Sequence, residues 1–278
     1  MTTGNEWQGR VGCAWAEMYE RTDRSLAGLT ERLLARIAAL PGSTVLDIGC
    51  GAGELSLAIG RARLGAQVLG VDVSADLVAA ATARAGGNPR VSFALGDAAR
   101  WSDPDFAPDL LVSRHGVMFF DDPPAAFENL RRSAAPGARL AFSCFRAPRE
   151  NPWASGLADL FGLPPGDPEA PGPFAFADPH RVEAILTDGG WDRIDLAPVD
   201  FAYVAGIGED PVGEAVALFS RIGPFARAMM DIPEAKRPAM REKLAGWVEG
   251  HRDGNLIAFA AAAWIVTAER RNRETRPR

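Results

Sequence analysis

Cysteine is scarce in this sequence: Cys13, Cys50 and Cys144 lie far apart, with no CxxC spacing. That pattern argues against a disulfide framework or a zinc site, so no metal is expected. A basic excess is missing too, since 30 Lys and Arg stand against 36 Asp and Glu for a formal charge of −6. A groove that tracks phosphates leaves a basic footprint, so no nucleic-acid partner is expected. No apolar run reaches the ~18 residues of a membrane helix. The longest is Leu256–Val266, and no membrane partner is expected. The opening MTTGNEWQGR lacks the apolar stretch of a secretion signal, which points to the cytosol. There is no internal repeat and no low-complexity tract. What is present is 278 residues, 47% apolar and 24% charged, enough for a large core in one or two domains.

Leu26, Leu29, Leu33, Leu34, Ile37 and Leu40 recur at helical spacing until Pro41-Gly42 stops them, after a loose start. Residues 1–40 thus read as a helical cover. Strands then alternate with helices through residues 41–145. The strands are Thr44–Ile48, Gln67–Val71, Val91–Leu95, Leu110–Ser113 and Arg139–Phe145. The helices are Glu54–Arg63, Ala75–Ala85 behind an Ser74 cap, and Pro123–Ser133 behind an Asp122 cap. This alternation predicts a single α/β domain, doubly wound around a mostly parallel sheet. Residues 146–178 are crowded with Pro and Gly and read as a loop or lid. The core resumes over 179–205, with a helix at Pro179–Asp188 and a strand at Ile194–Val204. A helical insertion (206–254), broken near Pro224, Pro233 and Pro238, precedes a last regular piece at Leu256–Ala268. The tail from Arg270 carries five arginines and reads as a solvated end.

The most informative segment is VLDIGCGAGE, residues 45–54. A glycine turn between a buried strand and a helix lets backbone approach a ligand closely and aims free N–H groups at it. Dinucleotides and S-adenosylmethionine both use such a turn. The dinucleotide pattern wants a third glycine where this chain has Glu54. Asp47 inside the strand would repel a pyrophosphate, yet suits a ligand carrying an ammonium and a sulfonium.

VLDIGCGAGE resembles motif I of the class I S-adenosylmethionine-dependent methyltransferases. GVDVSADLVAAATARA (70–85), VSFALGDAARW (91–101) and residues 109–142 are similar to the motifs that follow it, in order and at family spacing. The resemblance implies a seven-stranded sheet whose last strand is antiparallel. It implies that backbone at Gly49 and Gly51 passes under the methionyl part of the cofactor, and that Asp47 holds its ammonium. Asp72 would take the ribose hydroxyls, Val73 would pack on the adenine, and Asp97 and the Ala98 N–H would read its edge. Ser113 and Arg114 would line the methionyl end. Asp122-Pro123-Pro124 looks like a nitrogen-methylating motif but comes late and lacks its aromatic residue, so helix capping is the better reading.

Alignment of the acceptor can supply much of the rate in such transfers, so catalytic residues are hard to read. His115, just past the fourth strand, is the candidate general base, with packing beside the cofactor as its alternative. Trp15, Tyr19 and Arg21 could close the pocket or simply pack. Leu218, Phe219, Ile222, Phe225, Met229 and Met230 suggest a pocket for an organic small molecule. The expected activity is methyl transfer to an O, N or C atom. A non-methylating S-adenosylmethionine binder and a nicotinamide-dependent oxidoreductase stay open as alternatives.

Overall fold

The structure is a computed structural model that describes residues 4–270. The loose start is in fact helical: α1 (Gly4–Trp7), α2 (Arg10–Glu17) and α3 (Tyr19–Ser25) precede α4 (Ala27–Ala38). The sequence hides α2 and α3 because neither has a side-chain cap. Past Arg270, the arginine-rich tail lies outside the described residues.

The core follows the expected alternation closely. It runs β1 (Thr44–Ile48), α5 (Glu54–Ala62), β2 (Gln67–Asp72), α6 (Ala75–Ala85), β3 (Val91–Leu95), β4 (Leu110–Arg114), α7 (Pro123–Ser133) and β5 (Arg139–Phe145). Ser74 and Asp122 cap α6 and α7 through Leu77 N and Ala125 N, so the capping reading of Asp122-Pro123-Pro124 holds. β4 is buried along almost its whole length, as is β5, because helices cover both faces of the sheet.

Residues 146–178 correct the expectation of a loop. They hold a packed helix, α8 (Pro152–Phe161), with Trp153, Ala154 and Leu157 buried. Its proline sits in the first turn, where a missing N–H costs nothing. The chain continues as α9 (Pro179–Asp188), β6 (Trp191–Ile207), α10 (Pro211–Arg221), α11 (Pro224–Asp231), α12 (Arg237–Glu249), β7 (Arg252–Asp253) and β8 (Leu256–Arg270).

Seven strands cross the sheet in the order β3-β2-β1-β4-β5-β8-β6, and two-residue β7 adds an eighth by pairing with β8. β1 through β5 pair in parallel, whereas β8 runs antiparallel to both β5 and β6. β5 ends opposite Ala263, but the β6–β8 pairing continues to Ile207↔Leu256. A two-stranded ribbon therefore projects past the C-terminal edge of the parallel strands and carries α10 to α12 on its tip. Buried Asn151 stitches the root of this ribbon. Its side chain accepts from Ala262 N at 3.0 Å and donates to Ala262 O at 3.1 Å. Among the described residues, no helix is long and apolar enough to cross a membrane.

Candidate cofactor and substrate site

In open α/β sheets, ligands bind beyond the carboxyl ends of the parallel strands. A cleft of about 2110 Å³ opens at that edge. A pocket for one small ligand typically measures ~300–1000 Å³. The cleft therefore has room for a cofactor and an acceptor together.

Its floor is built around Asp47. This carboxylate lies one residue before the end of β1 and is buried; Oδ2 accepts from Ser56 Oγ at 2.5 Å, while Oδ1 has no partner. Burial pushes the carboxyl from 3.8 up to about 7, although Ser56 and the Arg114 guanidinium oppose the shift. A buried acceptor left unpaired is costly unless a ligand completes it. The glycine turn beside it takes left-handed backbone at Gly49 (φ +62°) and Gly51 (φ +55°). A Cβ at Gly49 would stand 2.9 Å from Gly116 Cα, while one at Gly51 would meet nothing within 4 Å. One detail differs from expectation. The Gly49 and Cys50 N–H groups donate to Val71 O, and the Gly51 N–H donates to Asp72 Oδ2, so these three are already engaged. The turn thus offers close approach and an unpaired carboxylate, not a row of free donors.

Asp72 is held from both sides, accepting from Gly51 N and Ser74 N at 2.9 Å each. Burial raises its carboxyl against the pull of those N–H groups. Val73, Asp97 and Ala98 line the same cleft, and Asp97 Oδ1 also accepts from Ala99 N at 2.9 Å. Trp15 lines it as well, joined by Trp7, which packs on Trp15 and Phe119 at 5.5 and 5.0 Å between ring centroids.

Several expected residues, among them Ser113, Tyr19, Arg21, Leu218, Phe219 and Phe225, do not line the cleft. Ser113 lies within β4 and is fully buried, donating to Ile48 O at 2.7 Å and accepting from Gly116 N at 3.1 Å. It ties β1 to the turn after β4 and has no surface left for a ligand. Tyr19 lies under the Arg84 guanidinium at 4.4 Å, outside the lining, and its hydroxyl meets Glu20. Arg21 is likewise outside; with Arg24 it pairs with Glu214 of α10.

Arg114 does line the cleft, but its charge is committed. It bonds Asp23 and Thr30 Oγ1 at 3.0 Å each and stands 3.9 Å from Glu54. Arg84 pairs with the other oxygen of Asp23. Burial opposes ionisation of Asp23, but its hydrogen bond with Glu54 and the two guanidiniums hold it below its ordinary range. Glu54 is pushed up to about 7 by burial and by Asp23. The residue standing in place of a third glycine thus anchors the N-terminal helices to the turn. Asp23 carries no sequence signal, because its partners are some 30 to 90 positions away.

His115 follows β4 with a left-handed backbone (φ +64°), unusual for a residue other than glycine. Its Nδ1 lies 3.2 Å from Ser143 O, and its ring stacks on Phe145 at 4.0 Å. A carbonyl only accepts, so Nδ1 carries the proton and Nε2 is the bare nitrogen. Nε2 is buried without a partner. Burial, helped by neighbouring Arg114, takes the ring down to about 3. The expectation that it titrates near neutral pH therefore fails, and the ring is a neutral acceptor. Among the described residues, no group of three or more His, Cys, Asp or Glu could hold a metal ion.

Residues 45–137 match a family described as a methyltransferase domain. A trans-aconitate 2-methyltransferase of Methylobacterium radiotolerans is 33% identical over 124 residues, covering 45% of this chain and 46% of that protein. The match thus spans less than half of that relative. The fold is shared with a phosphoethanolamine N-methyltransferase 2 of Haemonchus contortus solved with S-adenosyl-L-methionine. That likeness has a TM-score of 0.51 at 16% identity, over 87% of this chain and 52% of the other. The [4+2]-cyclase SpnF is similar too, with a TM-score of 0.51 at 22% identity over 87% and 80%. At such identities the two structures establish the fold alone. Over the matched segment, residues 45–137, the motif order and the sheet order are similar to those of the class I S-adenosylmethionine-dependent methyltransferases.

Proposed function

We propose that the protein moves a methyl group from S-adenosylmethionine to an O, N or C atom of an organic small molecule held in the same cleft. The observation that carries this reading is the unpaired, buried Asp47 Oδ1 at the glycine turn. It suits the cofactor's ammonium, and the open side of Gly51 leaves room for the methionyl chain. When bound, S-adenosylmethionine supplies an electrophilic methyl carbon on a sulfonium. Asp72 would accept from the ribose hydroxyls, with Val73, Asp97 and Ala98 around the adenine. Arg114 would brace the N-terminal helices over the site through Asp23, without meeting a ligand charge. His115 would orient an acceptor and not deprotonate it, because a base so weak gains little from proton transfer. α8 and α10 to α12 would form the cover that excludes water. An anionic acceptor, such as the trans-aconitate in the relative's name, would find the cleft-lining Arg114 already bonded to Asp23 and Thr30.

Calorimetry with S-adenosylhomocysteine and with NAD tests the reading. Binding of the first and not the second is expected. Binding of NAD alone would replace the proposal with the oxidoreductase reading, in which Glu54 and Asp47 have no place. Binding of S-adenosylhomocysteine with no methyl transfer to any acceptor would leave the non-methylating binder.

A further inference from the structure

Beyond His115 the cleft runs into an aromatic recess. Phe145 stacks on the His115 ring at 4.0 Å and meets Trp153 at 5.1 Å and Phe174 at 5.9 Å. Trp153 in turn lies nearly parallel to Tyr203 at 4.8 Å, with 9° between the planes. All five line the cleft. Their polar tips are mostly spent inside the protein. Trp153 Nε1 donates to Asn151 Oδ1 at 3.2 Å, and the Tyr203 hydroxyl has Ser25 beside it. The one unspent polar atom on this wall is His115 Nε2, on a residue only 8% exposed.

None of the five wall residues carries a charge at neutral pH. Arg114 is committed to Asp23 and Thr30. The other basic side chains that line the cleft are half-buried or exposed. A carboxylate or phosphate driven inward would lose its hydration with no free cation to replace it, and would face a nitrogen lone pair. Flat aromatic walls instead reward a flat apolar ligand. A buried lone pair rewards a single donor at its leading edge and rejects analogues that lack one.

Resting on the methyltransferase reading above and deepening it, we propose that this recess binds an uncharged planar aromatic compound whose leading edge carries a hydroxyl or N–H donor directed at His115 Nε2. The ring nitrogen selects the ligand by what it can donate. The aromatic walls set its thickness, and its orientation follows from the two together. Because burial keeps the imidazole neutral, this selection holds across the neutral pH range.

Equilibrium titrations on the full chain, read by tryptophan fluorescence and calorimetry, test this without turnover. Four probes are compared with S-adenosylhomocysteine present: 2-naphthol, 2-methoxynaphthalene, 2-naphthoate and tricarballylate. 2-Naphthol is expected to bind at least about tenfold tighter than its methyl ether or the two anions, the scale set by one completed buried acceptor. His115→Phe should erase the preference for naphthol over the ether and leave the affinity for S-adenosylhomocysteine unchanged. His115→Gln, which can still present an acceptor, should restore part of the preference. Equal binding of naphthol and ether by the wild type would overturn the proposal, as would tighter binding of either anion. So would an undiminished preference in a folded His115→Phe variant. If these fail while S-adenosylhomocysteine still binds, the recess assignment alone is wrong. If S-adenosylhomocysteine does not bind, the underlying reading falls and takes the recess with it.

Discussion

The floor of the cleft and its recess are built in opposite ways. The floor comes from short stretches of chain, the 47–53 turn, Asp72 to Ser74 and Asp97 to Ala99, and its polar groups are fixed mainly by neighbouring backbone. The recess comes from His115, Phe145, Trp153, Phe174 and Tyr203, which belong to separate elements and touch one another through their rings. A cofactor site can be specified locally because its ligand never changes. An acceptor site is specified by side-chain packing, so it can change while the floor stays constant. Each part nonetheless keeps one unpaired buried polar atom, Asp47 Oδ1 and His115 Nε2. Such atoms weaken the free protein and gain value once a ligand is bound.

The largest test of that contrast is Asp47→Asn. The carboxyl ionises at about 7 when folded, against 3.8 ordinarily. Between those values the folded form keeps a proton that the unfolded chain has released. Stability from this group is therefore complete below about pH 4 and lost as pH rises through 7. A separation of that size corresponds to roughly 4 kcal/mol at most. The Asn variant, which cannot ionise, should be more stable than wild type by a few kcal/mol at pH 8 and nearly equal to it at pH 4. Denaturant melts at both values check the sign. Its affinity for S-adenosylhomocysteine should fall, because the ammonium loses its counter-charge. A variant less stable than wild type at pH 8 would mean that Asp47 is not held at a cost.

Asp72→Ala comes next. It removes the proposed ribose acceptor, worth about 1–3 kcal/mol, or ~10–100-fold in cofactor affinity by calorimetry. Naphthol binding in the recess should change far less, which separates floor from wall. The paired glycines sharpen the point. Gly49→Ala places a Cβ against Gly116 and imposes left-handed backbone, so stability should fall by more than the ~1 kcal/mol that the backbone conformation alone costs. Gly51→Ala carries only the conformational cost in the free protein, since its Cβ meets nothing. It should instead lose affinity, because the side left open for the ligand is then filled. Thermal melts and cofactor titrations on both variants read the two effects separately.

The same division explains what the sequence disclosed. Every core strand from Thr44 to Phe145 was visible, because short apolar runs stand between turns marked by Gly, Pro or Asp, and caps at Ser74 and Asp122 mark the helix starts. Asp47, Gly49, Gly51, Asp72 and Asp97 were visible through order and spacing, and all of them line the cleft. Ser113 was misplaced by one step of strand alternation, which turned its hydroxyl to Ile48 and not to the cleft. α8 was missed because the density of Pro and Gly around it outweighed a first-turn proline and a buried Trp153. Tyr203 and Phe174 were missed because a β-strand aromatic and a loop aromatic look alike whether they face a ligand or a core. The His115 position was legible, but its protonation was not, since burial and the Ser143 carbonyl exist only in the folded chain.

The smallest expected effect lies where the N-terminal helices meet the insertion. Glu214, in the first turn of α10, receives both Arg21 and Arg24, while Arg221 pairs with Glu17 and Arg227 with Glu6. These links fasten the two covers to each other across the cleft, although all of them are partly solvated. Partly exposed ion pairs contribute ~0.2–1 kcal/mol each, so Glu214→Gln should leave global stability within about 1 kcal/mol of wild type. The hydrogen bond from Arg21 holds the Glu214 carboxyl below its ordinary 4.5, and burial opposes it only in part. Its contribution is therefore present above that value and disappears as pH falls through the lowered one. Hydrogen exchange at neutral pH should show faster opening of α10 in Glu214→Gln, with little change in β1 to β5. Lowering the pH far enough to protonate the Glu214 carboxyl should bring the wild-type α10 close to the variant. Unchanged exchange in α10 would mean that burial of Leu218 and Phe219 against β6 and β8 holds the cover closed without help from the ion pairs.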